Sequence, residues 1–236
     1  MQRYAKIIDD LESMTEVLEL VRDACLDQGA KRMSYHFSPI FDEPVSLRTV
    51  IYSHGYEPEW LKEYERAEFR MHDPIPERTF RHGEAITWLD AMGAAPNTPE
   101  NEAYFDAMRS AGLIHGFGMP LYGARGREAY ASFDFGRPVA EVDSEKVGFV
   151  RGLAQFAHVR ICNLVDREID TERLSSRETE VLTWMAKGKT AQDIGTILSL
   201  SPETIRTYIK RLYEKMDTHD RIGAVVRGLK LGLIRI

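Results

Sequence analysis

Within GYEPEWLKEYERAEFRMHDPIPERTFRHGEAITW, residues 55 to 88, Tyr56, Trp60, Tyr64, Asp73, Pro74 and Trp88 form a pattern that combines phenol and indole donors with one carboxylate. Tyr56, Trp60 and Tyr64 stand four apart. On a helix they would share one face and could wall an apolar ligand that carries polar handles. The same residues also suit plain aromatic core packing, with Asp73 as a helix cap, and residue types alone leave both readings open.

A second constellation lies in SPETIRTYIKRL, residues 201 to 212. Ile205, Tyr208, Ile209, Leu212 and Met216 recur at i, i+3, i+4, i+7 and i+11, which predicts one buried helical stripe. Glu203, Arg206, Thr207, Lys210 and Glu214 share the opposite face. Their donors and acceptors fit either a solvated amphipathic helix or one that enters a nucleic-acid groove, where arginine can fork onto guanine.

Catalytic chemistry finds less support. HExxH, G-x-S-x-G and CxxC are absent, and the histidines, His36, His54, His72, His82, His115, His158 and His219, are dispersed. The GKT at 188 to 190 does not belong to a phosphate loop, because Thr183 stands where that motif needs its first glycine and no strand precedes it. The sequence therefore predicts a protein that is not an enzyme and has no cofactor or metal.

The elements that must position these residues follow from pattern and punctuation. Residues 3 to 28 read as helix, broken near Met14 and Thr15 and stopped at Gly29. Strands are expected at 31 to 38 and 47 to 54, then helices at 58 to 69 and 98 to 112, with Thr98 as cap and Gly112 as stop. IHGFGMPLYG and REAYASFDFG, separated by ARG, form an expected hairpin. A long helix at about 142 to 167 is expected to bury Val147, Val150, Leu153, Phe156, Val159, Ile161 and Leu164. The fold class is α+β: an N-terminal α/β/α sandwich with a mainly antiparallel sheet, followed by an all-α four-helix domain. The domains are expected at 1–167 and 174–236, joined by a polar linker at 168–173.

Charge divides the chain at the same place. Residues 174 to 236 hold 11 Lys+Arg against 7 Asp+Glu, while residues 1 to 173 hold 20 against 30. The small basic domain suits nucleic acid, and the acidic bulk does not. No apolar run reaches membrane-span length, and the N-terminus lacks a signal-peptide pattern, so a cytoplasmic location is expected, with Cys25 and Cys162 as free buried thiols.

The basic domain carries its own caps. Ser175 with Glu178 fits a capping box, Thr190 with Asp193 caps a second helix, and Ser201 caps a third whose first position is Pro202. A fourth helix ends at Gly232. This run, with Leu174, Arg177, Glu178, Val181, Leu182, Ala186, Gly188, Lys189, Ile194, Leu198, Ser201, Thr204, Ile205, Lys215, Arg221, Ala224 and GLI at 232 to 234, resembles the LuxR-type helix-turn-helix. The resemblance implies that the third helix is the recognition helix. Arg206 and Lys210 would read bases, Thr207 would share their face, and Lys189, Ser201, Thr204, Tyr208 and Arg211 would anchor phosphates. Tyr208 stands where a histidine is frequent, and Gly195 replaces a usual alanine, which is expected to loosen helix packing.

The order of Tyr56, Trp60, Tyr64, Asp73, Pro74, Trp88, Gly116 and Ser132 is similar to that of the autoinducer-binding domain of LuxR-type quorum-sensing regulators. That resemblance implies an N-acyl-homoserine lactone held between sheet and helices. Trp60 would donate to the lactone carbonyl, Asp73 would accept the amide N–H, Tyr56 and Ser132 would donate to the amide carbonyl, and Tyr64 and Trp88 would pack on the chain and ring. Ile75 offers no hydroxyl where some relatives have one. The implied partners are double-stranded operator DNA, the lactone, a second copy of the chain and RNA polymerase. A two-component response regulator is disfavoured, since Asp9 and Asp10 fall in a helical pattern and βα alternation is absent. A LuxR-type regulator with a non-lactone effector, or none, stays open at this point.

Overall fold

The computed structural model describes residues 1–39, 46–168 and 174–236. Residues 169–173, most of the expected linker, lie outside the described residues. The chain divides into two compact units, one of Met1–Gly123 with Arg127–Val165 and one of Asp166–Ile236 with Ala124–Gly126.

The first unit is built on five antiparallel strands, β1 (Arg32–Phe37), β2 (Val50–His54), β3 (Ile86–Thr87), β4 (Phe117–Tyr122) and β5 (Glu128–Asp134), in the order β2-β1-β5-β4-β3. Strand side chains alternate between faces. Met33, Tyr35 and Phe37 of β1 and Ala129, Ala131 and Phe133 of β5 therefore enter one core, against α1 (Gln2–Asp10), α2 (Met14–Asp27) and α8 (Ser144–Glu168). On the other face lie α3 (Pro58–Tyr64), α4 (Ala67–Met71), α5 (Ile75–His82), α6 (Trp88–Ala94) and α7 (Pro99–Ser110), whose aromatic residues pack with Tyr130. Both faces are covered, and the sandwich is the expected one.

Three local expectations need correction. The helix expected at 58 to 69 is two helices, with Glu65 and Arg66 between them, and Tyr56 precedes the first. Tyr56 therefore does not share a helix face with Trp60 and Tyr64. Val159, expected in the buried stripe of α8, is 43% exposed. At 100° per residue it lies opposite Val150, while Ala154, Ala157 and His158 take the buried positions. Helices α5 and α6 and strand β3 were not anticipated. Pro76 sits in the first turn of α5, where its missing N–H is no loss, and Gly83 stops that helix in the left-handed region at φ 80°.

The second unit has four helices, α9 (Ser176–Ala186), α10 (Ala191–Leu198), α11 (Pro202–Lys215) and α12 (Arg221–Lys230). Both capping boxes form, Ser175 with Glu178 and Thr190 with Asp193, and Ser201 accepts from the Thr204 N–H at 3.1 Å. Val181, Leu182, Met185, Ile194, Ile205, Leu212, Met216 and Ala224 make the core. Glu178 is also buried, paired with Lys215 at 3.0 Å. Burial pushes its carboxyl up, but the Ser175 N–H, the Lys215 ammonium and the Ser175 hydroxyl outweigh that and hold it below the usual range. Gly195 does not loosen the packing as expected. It is buried, and a Cβ there would stand 2.7 Å from the Leu200 carbonyl oxygen, so glycine lets the turn between α10 and α11 close in.

Candidate ligand pocket and nucleic-acid face

Tyr56, Trp60, Tyr64, Asp73, Trp88 and Ser132 all line one cavity of about 460 Å³ between the sheet and the layer α3 to α7. That figure includes space open to solvent at the cavity mouth. Asp73 sits between α4 and α5, and its two oxygens are both engaged: the Tyr64 hydroxyl donates to Oδ2 at 2.6 Å, and the Ile75 N–H donates to Oδ1 at 2.9 Å. Burial pushes the Asp73 carboxyl up to about 6, against the opposing hydrogen bonds from Tyr64, Ile75 and Tyr104. Burial, with Asp73 close by, likewise holds the Tyr64 phenol well above its ordinary value.

On the sheet side a chain of hydrogen bonds crosses the strands. Tyr56 and Ser132 hydroxyls lie 3.2 Å apart, Ser132 and Ser34 2.8 Å, and Ser34 Oγ and His36 Nε2 3.0 Å. Burial, and secondarily the Arg70 guanidinium, depress His36 to about 3, so its ring is neutral across the physiological range. The helical wall is aromatic. Trp60 lies 6.0 Å from Tyr64, 5.7 Å from Phe69 and 6.1 Å from Tyr104, centroid to centroid. Trp88 stacks over Gly116, where a Cβ would come within 2.5 Å of the indole. No acceptor meets the buried Trp88 indole N–H in hydrogen-bond geometry, although the Tyr130 hydroxyl is near enough to feel it. The arrangement offers an amide-bearing ligand a carboxylate, several hydroxyls and unsatisfied indole donor capacity inside an apolar shell.

Ser34, His36, Ser53, Tyr104 and Tyr130 also line the cavity and were not anticipated. Alternation along RMSYHF carries the signal for two of them, since Ser34 and His36 must face away from Met33, Tyr35 and Phe37.

The nucleic-acid candidates lie in the second unit. Lys189, Ser201, Thr204, Arg206, Thr207, Lys210 and Arg211 are exposed, while Tyr208 is half-buried against the helical core. Arg206 pairs with Glu203 at 2.6 Å and Lys210 with Glu214 at 3.9 Å, all with well-exposed side chains. Such pairs contribute little and exchange readily for a stronger acceptor. The Ser201 hydroxyl lies 2.9 Å from that of Thr204, so the two form one polar cluster at the N-terminus of α11, where the helix dipole favours an anion.

A polar-edged cavity in the first unit and an exposed basic helix in the four-helix second unit are the two parts an effector-controlled DNA-binding protein needs. Residues 13–161 match the autoinducer binding domain family, and residues 172–227 match the bacterial regulatory proteins of the luxR family. The chain belongs to the LuxR-family transcriptional regulators that carry an autoinducer-binding domain. It is 27% identical over 244 residues to the HTH-type quorum sensing-dependent transcriptional regulator RpaR of Rhodopseudomonas palustris, covering 100% of this chain and 96% of that one. With the transcriptional activator protein LuxR of Aliivibrio fischeri it shares 25% identity over 97% of this chain and 93% of that one. The fold matches Escherichia coli SdiA with a TM-score of 0.74 at 23% identity, over 97% and 95% of the two chains. Among the described residues no helix is long and apolar enough to cross a membrane.

Proposed function

We propose that this protein is a cytoplasmic quorum-sensing regulator whose effector is an N-acyl-homoserine lactone and which binds an inverted-repeat operator as a homodimer. In this reading residues 1–167 bind the lactone, 168–173 link, and 174–236 bind DNA. The observation that carries it is the convergence of Trp60, Asp73, Tyr56 and Ser132 on one cavity. An acylated amide has one donor and one acceptor, and each needs a partner once desolvated. Asp73 accepts the amide N–H, Tyr56 and Ser132 donate to its carbonyl, Trp60 donates to the lactone carbonyl, and Tyr64 and Trp88 pack on the chain and ring.

Arg206 and Lys210 read bases from the face they share with Thr207, while Lys189, Ser201, Thr204, Tyr208 and Arg211 hold phosphates. Dimerisation uses α8 and α12. Ile222, Val226 and Leu229 leave an apolar stripe exposed on α12, which supports that role. RNA polymerase is the further partner through which bound operator becomes a change in transcription.

A second reading keeps the regulator and changes the effector. SdiA has been solved in complex with octanoyl-rac-glycerol, an acyl compound without a lactone, and that structure matches this fold with a TM-score of 0.75 at 22% identity.

Selection from a random double-stranded DNA pool, with and without a mixture of N-acyl-homoserine lactones, tests the proposal. The expected product is an inverted repeat with half-site centres about 34 Å apart, or a multiple of that, enriched to different extents with and without lactone. Enrichment of sites without two-fold symmetry, or indifference to lactone, contradicts it.

A further inference from the structure

The sheet floor of the cavity is ordered in rows. Antiparallel register sets Ser53, Ser34 and Ser132 side by side on β2, β1 and β5, with Gly118 of β4 next to Ser132. Two residues along in one direction, on the same face, Arg32 stands opposite Asp134. Those two form a 2.5 Å ion pair, with the Asp134 side chain 1% exposed, which closes that side to an apolar group. Two residues along in the other direction come Ile51, His36, Tyr130 and Pro120.

If the serine row meets the amide, as the lactone reading requires, the side away from the ion pair leads over the second row, whose Ile51, His36 and Tyr130 line the cavity. Two large rings are rooted there and lean back over the serine row, so they stand between the two rows. The Tyr130 ring lies across Gly118, where a Cβ would come 2.5 Å from Tyr130 Cε2 and 2.7 Å from its hydroxyl. His36 packs edge-on against Tyr130 at 5.1 Å and against Tyr64 at 5.9 Å, and its bond to Ser34 fixes the ring. Both residues are buried and in contact, so neither can swing aside without displacing the other.

We propose that His36 and Tyr130 form the end wall of the acyl subsite and restrict the effector to N-acyl-homoserine lactones with a compact acyl group, excluding long unbranched alkyl chains. The inference rests on the lactone reading and adds a size limit that the reading alone does not contain. It also runs against the default, because burial of added methylenes favours the longer chain wherever room exists.

The test uses the full-length protein and measures dissociation constants for N-butanoyl- and N-dodecanoyl-homoserine lactone by ligand-dependent thermal unfolding. The expected result is binding of the butanoyl compound at least about tenfold tighter than the dodecanoyl one, a ratio that steric exclusion from a pocket readily supplies. Tyr130→Ala should reverse the preference, and Tyr130→Phe, which keeps the ring, should retain it. Equal or tighter binding of the dodecanoyl lactone to the unaltered protein overturns the end wall and leaves the lactone reading intact. Failure of folded protein to bind either lactone overturns the end wall as drawn, and failure with every lactone of intermediate length as well overturns the lactone reading. The comparison in the unaltered protein decides the matter even if Tyr130→Ala does not fold.

Discussion

Two hydrogen-bonded pairs of the same length, 2.6 Å, stand in the two units: Tyr64 with Asp73 in the cavity, and Arg206 with Glu203 on α11. The first is buried, and burial raises the pKa of both partners, while the hydrogen bond itself pulls Asp73 down and pushes Tyr64 up. The second is solvated on both sides, with side chains 65% and 76% exposed. In low dielectric a polar group must keep a partner, so the cavity pair can be relieved only by something that replaces its hydrogen bonds. In water the exchange is nearly free, so Arg206 is available to any better acceptor. A buried site of this kind selects its ligand, whereas an exposed one selects through the geometry of what it docks on.

The largest effect that can break this contrast is the pH response of Asp73. Its folded pKa is raised from 3.8 to about 6, so the stability this group contributes is fully present below pH 3.8 and is lost as pH rises through 6. The full span corresponds to about 3 kcal/mol. Chemical denaturation of the ligand-free protein should show the parent losing stability relative to Asp73→Asn between pH 4.5 and 7.5. Parallel pH profiles would mean that Asp73 is not desolvated.

Next come two substitutions of similar size on opposite sides of the comparison. Tyr64→Phe strips a buried acceptor of its partner and should lower unfolding free energy by about 1 to 3 kcal/mol. Arg206→Ala should leave folding unchanged, yet weaken operator binding by about 1 to 3 kcal/mol and relax specificity at one base pair. Uniform weakening across sequences would make Arg206 a phosphate contact instead. Ser201→Ala removes an N-cap and should cost about 1 kcal/mol in the second unit, seen in its thermal midpoint. Glu203→Gln breaks the exposed pair and should change stability by less than about 0.5 kcal/mol, and a larger loss would show the pair to be more than a surface contact.

The same contrast explains what could be read in the chain. The proposed DNA contacts, Lys189 apart, lie on one 14-residue helix and its serine cap, backed by an apolar stripe, and cap and stripe are both local signals. The capping boxes at Ser175 and Thr190 were equally legible. The pocket wall is made of helices of 5 to 8 residues, α3 to α6, too short to display a period, so α5 and α6 went unforeseen and α3 was drawn too long. Tyr56 reaches the cavity from a loop, where four-residue spacing carries no meaning. His36 and Tyr130 meet only through strand register across 94 residues of sequence, which no local pattern encodes. Val159 shows the remaining error, an apolar residue assigned to the core although the helical phase put it outside.

The central claim is that Asp73 holds an acylated lactone inside this cavity. Thermal unfolding of the parent and of Asp73→Ala, each with N-acyl-homoserine lactones of graded acyl length, tests it most directly. Ligand at about 100 times its dissociation constant should raise the parent midpoint by about 5 to 10 °C for at least one lactone, and the same lactone should leave Asp73→Ala unmoved. Equal shifts in both proteins, or no shift in folded ligand-free parent, would contradict the account.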